Sequence, residues 1–74
     1  MKRYHVAVVV EKDKNGYFAY VPELQGCYTQ GDTYEEVMDN IKDAIRLHIE
    51  DRIAANQPVP TANVVSLSTL EVAV

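Results

Sequence analysis

One cysteine, two histidines, three glycines and no apolar run that could span a bilayer leave this 74-residue sequence with little equipment for chemistry. The lone Cys27 cannot close an internal disulfide. His5 and His48 stand far apart and do not have the spacing of a metal-ligand set. A membrane-spanning helix needs about 20 consecutive apolar residues, and no such stretch occurs. The start, Met1-Lys2-Arg3-Tyr4-His5, lacks the apolar stretch and small-residue cleavage site of a secretory signal. With a single thiol and no exit signal, the expected location is a reducing cytoplasm. There is no glycine-rich phosphate loop and no nucleophile with a base beside it. No catalytic residue, cofactor or metal is therefore assigned.

A positive balance is also missing. The net charge is −4, and it is uneven. In residues 1–32 the acids and bases cancel, whereas residues 33–52 carry six carboxylates against three cations. Nucleic-acid binding depends on Lys and Arg displacing counterions from phosphates, so direct contact with DNA or RNA is not expected. The carboxylates of the second segment (Glu35, Glu36, Asp39, Asp43 and Glu50) suit either a solvated face or a basic protein partner. Glu11, Asp13, Glu23 and Asp32 fall near predicted strand ends, where a metal-dependent nuclease holds its acids. Turns and helix caps are ordinary places for acids, and three of these four lie there.

What is present is a strong pattern of elements. Residues 3–11 are β-branched and apolar at nearly every position, which predicts a central strand covered on both sides. Asn15-Gly16 is a hairpin-turn signal, and residues 17–21 form the return strand, ended by Pro22. After a Pro22–Gly26 loop, residues 27–30 make a short third strand closed by Gly31. Thr33-Tyr34-Glu35-Glu36 matches a capping box, with Thr33 as N-cap and Glu36 reciprocating. Tyr34, Val37, Met38, Ile41, Ala44, Ile45, His48 and Ile49 then share one helix face. The helix is predicted to reach Ala55, with Asn56 as a left-handed cap before Pro58. His48 reads as a core-edge residue and Cys27 as a buried one. Residues 61–69 are ambiguous, and Leu70-Glu71-Val72-Ala73-Val74 alternates as a final strand would.

The order β-β-β-α-β with a right-handed crossover predicts an α+β domain over residues 1–74. Its four-stranded mixed sheet would run in the order 3-2-1-4, with one helix on one face. The second face must then meet water, the residue 57–69 loop or another molecule. Tyr17, Phe18 and Tyr20, with Leu24 and Tyr28, supply more apolar surface than one helix covers, and Leu47 is the one large apolar residue on the polar helix face. These six are the candidate partner or oligomer contacts. A domain this small buries only about 60% of the surface its unfolded chain exposes, and with disulfide and metal excluded a homodimer is the expected reinforcement.

The run from Gly16 to Val37 resembles the signature of the HicB antitoxin family. The pieces are Gly16-Tyr17-Phe18, Pro22-Glu23-Leu24-Gln25-Gly26-Cys27 and Thr29-Gln30-Gly31-Asp32-Thr33-Tyr34-Glu35-Glu36, followed by Asn40-Ile41-Lys42-Asp43-Ala44-Ile45. Val37 stands where the family commonly has Ala. The resemblance implies a degenerate RNase H-like fold and a partner, a small basic HicA-like toxin that cleaves mRNA with a histidine. It implies that this chain neutralises that toxin by covering it. Many members continue into an operator-binding domain, and no such C-terminal DNA-binding domain is expected here. The alternative is an orphan homo-oligomeric binding module without a toxin; a residual metal-dependent nuclease is a third reading.

Overall fold

The structure is a computed structural model, and it describes residues 3–60 and 70–74. Three strands, β1 (Val9–Asp13), β2 (Gly16–Tyr20) and β3 (Tyr28–Gly31), precede one helix, α1 (Tyr34–Ala54). The sheet is antiparallel in the order β1-β2-β3. Among the described residues no helix is long and apolar enough to cross a membrane.

The hairpin closes where the Asn15-Gly16 signal lies. Val9 pairs with Tyr20 and Asp13 with Gly16, leaving Lys14-Asn15 as the loop. The Asp13 carboxylate accepts a hydrogen bond from the Asn15 amide at 2.8 Å, and Gly16 takes a φ of 127° that a side chain would strain. Only Gly16 of the pair has positive φ, so this is not the doubly positive turn that Asn-Gly suggests.

The four-stranded order 3-2-1-4 is not what forms. Residues 70–74 are described and belong to no ladder, and Leu70, Val72 and Val74 are exposed. Alternation says which side chains would share a face, but it does not supply a partner. The first strand is also shorter than expected. It begins at Val9, opposite Tyr20 at the end of β2, and Val21 beyond it is bonded within the following loop. The Val21 N–H donates to the Cys27 carbonyl at 3.1 Å, and its own carbonyl accepts from Leu24 at 3.2 Å. Residues 3–8 belong to no strand, and Tyr4, Val6 and Val8 pack against the core. β2, not the first strand, is central.

The helix obeys its local signals. Thr33 has extended backbone and its hydroxyl accepts from the Glu36 amide at 3.0 Å. The reciprocal half of the capping box is missing: among the described residues the Glu36 carboxylate makes no return bond. At the far end Asn56 has a φ of 59°, with Asn56 N–H to the Ile53 carbonyl (3.1 Å) and Gln57 N–H to that of Arg52 (2.8 Å), the Schellman arrangement. The Arg52 guanidinium donates to the Pro58 carbonyl at 3.0 Å and ties down the exit. Val37, Ile41 and Ile49 press onto Ala19, Val21, Leu24 and Cys27, which form the core on one side of the sheet. A hydrogen bond not anticipated in the sequence clips the layers together: the Asn40 side-chain amide donates to the Gln30 carbonyl at 2.9 Å.

Candidate protein-binding face

Helix α1 covers one side of the sheet, and strand register decides what stands on the other. Residues directly opposite in neighbouring strands point the same way. Val9, Tyr20 and Tyr28 therefore share the uncovered face with Glu11, Phe18 and Gln30, and Asp13 continues the row. Phe18 lies 5.9 Å from Tyr20 and 6.0 Å from Tyr28 between ring centroids, the second pair nearly parallel. Such contacts add about 0.5–1.5 kcal/mol beyond area burial. Tyr28 remains 61% exposed.

At the hairpin end this face opens into a groove of about 1010 Å³ that Phe18 shares with Glu11, Asp13, Asp32 and Glu36. Lys12 also lines it, but its ammonium sits 5.8 Å over the ring of Tyr17, on the helix side. Among the described residues only Asp43 and Arg46 form an ion pair, so none of these four carboxylates is ion-paired there. No group of three metal-binding side chains occurs among the described residues. The sequence already places Glu11, Asp13 and Asp32 near strand ends; what register adds is that Glu11 and Asp13 stand on the same side as Phe18.

The six apolar candidates separate. Phe18, Tyr20 and Tyr28 come together on the open face. Tyr17 points to the other side and meets Tyr34 edge-on at 6.3 Å and 76°. Leu24 is 1% exposed, withdrawn into the core by the turn from Val21 to Cys27, and offers no surface. Leu47 is 57% exposed on the outer helix face, remote from the aromatics. Of the acidic helix residues, Asp43 is engaged by Arg46 at 3.5 Å, and Glu36 borders the groove. Glu35, Asp39 and Glu50 are exposed. Cys27 is buried, and burial pushes its thiol pKa up, which disfavours the reactive thiolate.

A UPF0150 protein of Synechocystis sp. is 48% identical over 63 residues, covering 84% of this chain and 80% of that protein. A UPF0150 protein of Thermoplasma acidophilum is 46% identical over 57 residues, covering 76% and 83%. Among solved structures, a chain of the HicA3 and HicB3 toxin-antitoxin complex superposes with a TM-score of 0.61 at 27% identity. That match covers 74% of this chain, which spans only 64% of the solved one. The model of the HicB-like antitoxin of bacterial toxin-antitoxin systems matches residues 4–72. The chain belongs to the HicB-like antitoxin family.

Proposed function

We propose that this chain is the antitoxin of a toxin–antitoxin pair and acts by binding, without catalysis, a small basic HicA-like toxin that cleaves mRNA. The observation that carries this reading is the aromatic cluster of Phe18, Tyr20 and Tyr28 on the sheet face opposite α1, where Phe18 and Tyr20 are half-buried and Tyr28 is exposed. Its likeness to a chain of the HicA3 and HicB3 complex supports the choice of partner. Aromatic residues are enriched at the centres of protein interfaces, where they supply much of the binding energy. The chain also pairs with a second copy in this reading. Its small core and the two sheet edges, β1 and β3, that no described strand pairs favour reinforcement by self-association.

Co-expression with a HicA-like toxin tests the proposal. Restored growth and a co-purified complex are expected, and a toxin that stays lethal and uncomplexed refutes it. Light scattering of the chain alone should give a mass near twice 8.3 kDa. A stable self-assembly that binds no toxin favours the orphan homo-oligomeric module instead.

A further inference from the structure

The open sheet face is aromatic, but it is not neutral. Glu11 stands directly across from Phe18, and Asp13 follows on the same side of β1. Among the paired strand residues no Lys or Arg points to that side; Lys12 borders the groove but rests over Tyr17 on the helix side. The face therefore combines ring surfaces with carboxylates that form no ion pair among the described residues.

We propose that this face, Phe18, Tyr20 and Tyr28 flanked by Glu11 and Asp13, docks an arginine-bearing protein surface, and that this is where the toxin seats. The inference rests on the antitoxin reading above and adds which surface is used and what it recognises. A guanidinium stacks on an aromatic ring with its plane and binds a carboxylate through two parallel N–H groups. Phe18 beside Glu11 offers both at once, and a lysine ammonium lacks the planar geometry to use them together.

Two other occupants fit less well. A second copy related by a two-fold axis would apply the face to itself. Glu11 and Asp13 would then enter a shared desolvated space with no cation from either side, at a cost. A nucleic acid would bring phosphates toward the same carboxylates. The outer helix face is acidic too, but there Lys42 and Arg46 are interspersed and Asp43 is already paired.

The toxin that forms the complex in co-expression serves as the probe, titrated by calorimetry against the intact chain and three variants whose folding is checked by circular dichroism. Tyr28→Ala should weaken binding at least about tenfold. Glu11→Gln should weaken it several-fold and flatten the salt dependence of the association rate. Leu47→Ala, on the far side, should stay within about twofold. If the unaltered chain binds and neither Tyr28→Ala nor Glu11→Gln changes affinity, the face is wrong while the antitoxin reading stands. If the unaltered chain does not bind, both fail. Tighter binding by Glu11→Gln would mean an anionic partner surface, and a halved mass of Tyr28→Ala without toxin would make this a contact between copies. Either result overturns the proposal.

Discussion

Gly31 and Val37 meet backbone to backbone: a Cβ on Gly31 would fall 2.7 Å from the Val37 amide nitrogen and 3.0 Å from its Cα. No side chain can retreat to relieve that contact. The approach brings β3 under the first turn of α1, beside the groove that both Gly31 and Glu36 line.

Gly31→Ala should therefore destabilise the domain by about 1–3 kcal/mol, as overpacking against rigid neighbours does. For a chain of this length each kcal/mol lowers Tm by about 4–8 °C. Thermal unfolding followed by circular dichroism checks this; an unchanged Tm would show that helix and strand slide apart without cost.

Asn40 is the second tie between helix and sheet. Replacing it with Ala removes the donor to the Gln30 carbonyl and should cost about 0.5–1.5 kcal/mol. Asn40→Asp, equal in size but without the donor, should cost at least as much. Urea unfolding midpoints would separate loss of the hydrogen bond from loss of the side chain.

At the helix exit, Asn56 holds a left-handed backbone that most residues resist. Asn56→Ala should cost about 1–2 kcal/mol, and Asn56→Gly should be neutral or stabilising. Equal losses in the two variants would point to the asparagine side chain and away from its backbone.

Cys27 gives the pH dependence. Burial raises the thiol pKa above its ordinary value of 9.0. The neutral thiol is the native form, so the unfolded chain ionises first as pH rises, and fewer protons are then bound unfolded than folded. Stability should be flat with respect to this group below pH 9 and decline above it, until the native thiol also ionises. Cys27→Ala should unfold earlier at neutral pH yet show a shallower alkaline decline. Parallel curves for the two proteins would contradict the assignment.

The parts of the fold that the sequence predicted well are those whose causes are local. The Thr33 cap, the Asn56 terminus and the Val37, Ile41 and Ile49 stripe each depend on residues within a turn or two of one another. The fourth strand failed because pairing is a relation between distant segments, and the alternation at Leu70 to Val74 carries no information about a partner. Leu24 was read as surface because it lies among loop residues between Pro22 and Gly26. Three backbone hydrogen bonds between Val21, Leu24 and Cys27 curl that loop so that the leucine points inward. Glu11 and Asp13 are legible as acids near strand ends, but only register sets them on one side with Phe18.

The order of the elements also bears on time. β2 packs on β1, β3 on β2, and α1 on β3 and β2, so each described element meets neighbours just made. Each connection is short, so little loop entropy is lost before the next contacts form. A chain emerging from the ribosome could close its hairpin first, add the third strand, and complete the core once Ile49 is free. The binding face, built from the three strands alone, would then be laid down before the helix that backs it.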